Sequence, residues 1–202
     1  MLKPVLTLMS AIALCVMPWL TYAAGPSAKD INVKVEKDGN TYMVSADFTV
    51  AASVDETWDV LTDFDNMAKI LSNVDASSIA NREGNKFEVI QKSHVSAGLI
   101  KVSSDSVRQV ELTPKTEIRS HLLKGDVKSS VFSTKLMPEG DVTKVTVNGK
   151  FVAGGLSAGA ITVESVEAST RRQYQELREE TLRRKAHLPT PACVLAKNCP
   201  QG

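Results

Sequence analysis

The stretch Ser53–Leu71, SVDETWDVLTDFDNMAKIL, decides how the chain is read. It opens as a helix. Ser53 with Glu56 three residues on has the form of a capping box, in which the serine oxygen accepts an N-terminal backbone N–H and the glutamate reaches back to the serine N–H. Asp55 falls in the first turn, where a negative charge complements the helix dipole. Val54, Trp58 and Leu61 recur at helical spacing and form one apolar stripe. Thr62–Asn66, TDFDN, is polar enough to end that helix. Asp65 or Asn66 can cap a second one, to which Met67, Ile70 and Leu71 give an apolar side. Each acidic residue therefore has a structural task available. As a carboxylate pair for acid–base catalysis, Asp63 and Asp65 lack any basic partner or nucleophile that the sequence identifies.

On either side of this stretch the dominant pattern is alternation. Tyr42, Val44, Ala46, Phe48 and Val50 share one face of an extended segment, and Ile31, Val33 and Val35 make a shorter partner across an Asp38-Gly39-Asn40 turn. Turn signals then recur at Glu83-Gly84-Asn85, Thr113-Pro114-Lys115, Lys124-Gly125-Asp126 and Pro138-Glu139-Gly140-Asp141. They divide residues 74–153 into strands of about ten residues, the spacing of an antiparallel meander. Val145, Val147 and Phe151 carry the alternation to its end. Over Thr162–His187 the period becomes helical, with Val163, Val166, Thr170, Tyr174, Leu177 and Thr181 on one face. Glu180 and Arg184 are spaced for a surface pair. Between strand and helix lies Ala153–Ala160, AGGLSAGA, which reads as a hinge. It lacks the lysine and the spacing of a phosphate-binding loop, and no cofactor is implied.

The two ends differ from this middle. Residues 1–23 combine Lys3, an apolar run over Val5–Leu20 and small residues around Ala23, the layout of a cleaved secretory signal; an uncleaved anchor is the alternative. The tail, residues 188–202, holds three prolines with Cys193 and Cys199, most simply a disulfide in an oxidising compartment. A metal site with His187 as third ligand would lack a fourth ligand. Of 24 Lys and Arg, one falls in the leader, which leaves 23 against 23 Asp and Glu. A neutral exported chain does not present the basic footprint of a nucleic-acid binder.

A strand ending in a serine, the helix TWDVLTDFDN, a short second helix, a meander and a long last helix together resemble the START-like, helix-grip (SRPBCC) superfamily. The likeness covers about Tyr42–Lys185. It is nearest to the coenzyme Q-binding START-domain group, also labelled polyketide cyclase/dehydrase, and is carried by Trp58–Met67, Glu139-Gly140-Asp141 and Gln173–Glu180, QYQELREE. The resemblance implies an α+β domain over residues 31–187: a curved antiparallel sheet wrapped around the C-terminal helix, with two short helices after the first core strand. It also implies an apolar cavity between sheet and helix, for which Leu61, Phe64, Phe87, Val89, Ile100, Val102, Leu122, Phe151, Tyr174 and Leu177 are candidates. Read from the residues alone, each is equally an ordinary core position. The leading expectation is non-catalytic binding of a small hydrophobic molecule (lipid, quinone, isoprenoid or polyketide) by an exported protein, with transient membrane contact. A cyclase- or hydrolase-type enzyme using His94, His121 or His187 is a second. The third is an envelope interaction module without a ligand. Neither the ligand nor the oligomeric state is specified by the sequence.

Overall fold

Alternation along Thr41–Val50 builds the strand on which the rest is hung: Tyr42, Val44, Ala46, Phe48 and Val50 are all buried, and the residues between them are not. The computed structural model describes residues 31–97, 100–154 and 161–186. Strands β1 (Asn32–Asp38) and β2 (Thr41–Val50) are followed by helix α1 (Val54–Leu61), a 3₁₀ turn (Phe64–Asn66) and the single-turn helix α2 (Met67–Ile70). Next come β3 (Val74–Glu83), β4 (Lys86–Ala97), β5 (Ile100–Thr113), β6 (Glu117–Gly125), β7 (Ser129–Glu139) and β8 (Val142–Val152). Helix α3 (Val163–Lys185) ends the series. The strands form one curved antiparallel sheet in the order β1-β2-β8-β7-β6-β5-β4-β3. This is the α+β helix-grip arrangement that the sequence suggested.

Each anticipated turn falls between strands. Gly39, Gly84 and Gly140 have φ of +56°, +58° and +63°, the left-handed region where a residue without a Cβ carries no steric cost. Lys115 reaches the same region at 57°. Gly149 matters for a different reason: a Cβ there would collide with the ring of Phe132 on the neighbouring strand β7.

Around the opening stretch the capping box forms as read. Glu56 N donates to Ser53 Oγ at 3.2 Å, and Ser53 N donates to Glu56 Oε2 at 2.8 Å. The second helix differs from expectation. No side chain caps it, and a 3₁₀ turn precedes it. Its aspartates are taken up by tertiary contacts instead. Asp65 Oδ1 accepts the Ile79 N–H of β3 at 2.8 Å, while Asp63 Oδ2 holds Arg184 of α3 at 2.7 Å. Asp65, one of the two expected caps, thus anchors the opening helices to the sheet, and Asp63 anchors them to the last helix.

Helix α3 begins with its own capping box, Thr162 with Ser165, and buries Tyr174, Leu177 and Thr181 against the concave face of the sheet. Arg178 is buried beside them. The Tyr174 ring meets Phe48 of β2 at 5.1 Å between centroids. At the far end, Glu180 binds both Arg183 and Arg184, and Lys185 donates to the Ala51 carbonyl. Just before the helix, Tyr42 Oη of β2 donates to the Ile161 carbonyl at 2.6 Å, so both ends of α3 are tied to β2 and the residues that follow it.

Candidate ligand cavity

Where the concave face of β4–β7 meets the opening helices and α3, packing leaves a cavity of about 310 Å³. Leu61, Phe64, Met67, Leu71 and Val74 come to it from the opening helices and the start of β3. Val89, Gln91 and Ser93 come from β4, Arg108 and Val110 from β5, Ile118 and Ser120 from β6, and Phe132 and Thr134 from β7. Thr170, Gln173, Tyr174 and Leu177 of α3 close it. The volume corresponds to about ten water-sized groups at ~30 Å³ each, the low end for a small-molecule site.

Of the residues that sequence reading nominated, Leu61, Phe64, Val89, Tyr174 and Leu177 line this space. Phe87 does not. It is buried behind Phe64, with ring centroids 6.0 Å apart, and carries the Arg82 guanidinium on its other side. Phe151 stacks on Tyr42 at 4.9 Å, outside the lining. Leu122 follows Ile118 and Ser120 on the same face of β6 but lies beyond the lining. Ile100 and Val102 belong to β5, and their side chains lie outside the described residues, as do His187, Cys193, Cys199 and residues 1–23. His121 is exposed, because it points opposite to Ser120. His94 does not line the large cavity but borders a smaller chamber beside it.

The lining has one feature that the sequence reading passed over. Arg108 extends into the cavity, where its Nη2 donates to Ser120 Oγ at 3.0 Å and Ser130 Oγ at 3.2 Å. Its guanidinium lies 5.9 Å from the centre of the Phe132 ring. No carboxylate pairs with it among the described residues. Burial pulls its pKa below the usual value, although an arginine still keeps its charge. Tyr174, close by and hydrogen-bonded to Thr134, is pushed up to about 12 by burial and stays a neutral phenol. The site is thus of mixed lining, with apolar side chains beside neutral polar ones such as Gln91, Ser93, Ser120 and Gln173, and one fixed positive charge. A signal for it existed in the pattern. Arg108 shares its strand face with Val110 and Leu112, so a cation occupies an apolar phase of the alternation.

The profile of the family described as polyketide cyclase / dehydrase and lipid transport matches residues 42–181, which span the first core strand through most of α3. The chain belongs to this family. Solved structures agree on the fold. The STAR-related lipid transfer protein from Xanthomonas axonopodis is 15% identical and superposes with a TM-score of 0.64, covering 77% of this chain and 96% of that one. The Zhui aromatase/cyclase from Streptomyces sp. R1128 is 22% identical, with a TM-score of 0.59 over 71% and 95% of the two chains. A START superfamily protein from Mycobacterium smegmatis is 17% identical, with a TM-score of 0.56 over 72% and 97%. No curated protein matches the sequence. Within this family the chain presents the shared helix-grip frame, and what it binds is a matter for its own cavity.

Proposed function

We propose that the protein is an exported carrier that holds a small hydrophobic molecule with an acidic head group, without transforming it. The observation that carries this reading is Arg108: a guanidinium held by two serine hydroxyls inside a partly apolar cavity, with no carboxylate beside it among the described residues. A buried charge without a partner is expensive, and a ligand carboxylate or comparable anion would supply the missing partner through charge-assisted hydrogen bonds. The apolar part of the lining, Leu61, Phe64, Met67, Val89, Val110 and Leu177 among it, would take the tail. The lipid-transfer protein of the same fold is consistent with such cargo. Export rests on the apolar leader and the cysteine pair of the tail. No helix among the described residues is long and apolar enough to cross a membrane. Loading would involve transient membrane contact. A cavity of this size weighs against a purely interaction-based role.

The test uses dodecanoate and dodecan-1-ol as probes in calorimetric titration. The acid should bind at least about tenfold more tightly, since a hydrogen bond to a charged group contributes about 1.5–3 kcal/mol. Arg108→Met should erase that preference. Equal affinity for the two probes, or none for either, would remove the reading.

One observation favours a second reading, acid–base catalysis. His94 Nδ1 lies 2.9 Å and 3.0 Å from the two carboxylate oxygens of Asp75, the device that orients a general base. A turnover screen over polyketide-like and ester substrates checks it. Full activity in His94→Ala would exclude His94 from that role.

A further inference from the structure

A cross-strand pair shapes the floor of the cavity beside Arg108. Phe132 of β7 lies between Gly149 of β8 and Ser120 of β6. Its ring leans over Gly149 so closely that a Cβ there would overlap Cγ, Cδ1 and Cε1 of the phenyl group. A glycine inside a strand commonly marks such a close approach. Only the missing side chain lets the ring lie this low on the sheet. The other neighbours of the ring are held in place. Ser120 and Ser130 accept from the Arg108 guanidinium at 3.0 Å and 3.2 Å, and Thr134, next along the same face of β7, is hydrogen-bonded to Tyr174. A ring lifted off Gly149 therefore has its open side in the cavity that it lines.

We infer that Phe132, kept low by Gly149, sets the width of the cavity beside Arg108 and selects an acid group at the end of an unbranched chain. This rests on the acid anchor at Arg108 and narrows the class of its ligand. The guanidinium is enclosed where the head group would sit. The Phe132 ring is centred 5.9 Å from it, the two serines hold Nη2, and Tyr174 of α3 stands close by. A single chain leaves this enclosure toward Leu61, Phe64 and Met67 of the opening helices. A second alkyl arm on the carbon next to the acid would press on the phenyl ring, on a serine or on the phenol. The serines and the phenol are tied by hydrogen bonds, so the ring decides whether that arm fits. Gly149 sets where the ring stands. A methyl group at position 149 would raise the ring toward the guanidinium and narrow the space for either kind of acid.

The experiment compares dodecanoate with its isomer 2-butyloctanoate by titration calorimetry. The two share charge and carbon count and differ in the branch beside the acid. Wild type should bind dodecanoate about tenfold more tightly, a fold-change in the range that overpacking a formed wall produces. Phe132→Ala should bind the branched acid about tenfold more tightly than wild type does, which brings the ratio of the isomers near one. Gly149→Ala should weaken dodecanoate about tenfold, and the double variant Gly149→Ala/Phe132→Ala should recover it, because the two positions act through one contact. The Phe132→Ala comparison leaves Gly149 in place and decides the matter even where Gly149→Ala does not fold. If wild type binds the isomers equally, or its preference survives Phe132→Ala, the width selector is wrong and the Arg108 anchor stands. Undiminished dodecanoate binding by a folded Gly149→Ala overturns the role of Gly149. Failure of both isomers to bind wild type overturns anchor and selector together.

Discussion

At the scale of single residues, Arg108 separates function from stability. A cation buried beside two hydroxyls and an aromatic ring is a poor contributor to folding, and apolar replacement of buried charges is often neutral or stabilising. Arg108→Met should therefore keep or raise the melting temperature while losing the preference for an acid over an alcohol. A marked loss of stability in that variant would mean that the arginine is structural. Gly149 is the opposite case, a residue whose absent side chain leaves room for the Phe132 ring. Gly149→Ala should cost about 1–3 kcal/mol as overpacking does, read from denaturant unfolding, and should disturb the cavity wall that Phe132 forms. The two positions also differ in how far the sequence exposes them. Arg108 was legible as a charge in an apolar phase, but only if strand phase was followed across β5. Nothing in the sequence shows that Gly149 faces Phe132, because that depends on the β7–β8 register.

At the scale of elements, the opening helices show where sequence reasoning succeeds and where it stops. The Ser53–Glu56 box is a local device, and local spacing was enough to find it. Ser53→Ala should cost about 1 kcal/mol, measurable by chemical denaturation. Asp65 does not cap the second helix as its position suggested; it and Asp63 instead hold the Ile79 N–H and Arg184, partners distant in sequence that could not be read from spacing. The cluster at the end of α3 makes a prediction in pH. Burial pushes the Glu180 carboxyl up, but hydrogen bonds from Arg183 and Arg184 outweigh it and leave its pKa below the usual value of 4.5. A carboxylate with a depressed folded pKa contributes stability that is complete above its unfolded pKa and is lost as pH falls through the folded one. Wild type should therefore be more stable than Glu180→Gln at neutral pH, and the gap should close below about pH 4.5. A gap that stays constant from neutral pH down to strongly acidic pH would show that the cluster does not titrate as described.

At the scale of the whole molecule, the period-two strands, the turns and the amphipathic last helix made an antiparallel meander packed on a helix legible in the sequence, and the resemblance carried by Trp58–Met67 made it the helix-grip fold. They could do so because each is a repeating pattern enforced by burial on one face. The cavity was less legible. Residues such as Val89 and Leu177 line it, whereas Phe87 and Phe151, of the same character in sequence, are spent on ring packing. Core and lining use the same apolar vocabulary, and only the curvature of the sheet decides which side chain meets another and which meets open space. Polar lining residues such as Gln91 and Ser120 escape a search for hydrophobic positions for the same reason. The central claim, a carrier of an acidic amphiphile, is tested most directly by native mass spectrometry of the protein purified gently from its own compartment. The account predicts one bound acidic, lipid-like molecule per chain in wild type and its loss in Arg108→Met. A chain that is bare in every preparation, or one whose bound molecule is neutral and retained by Arg108→Met, would contradict it.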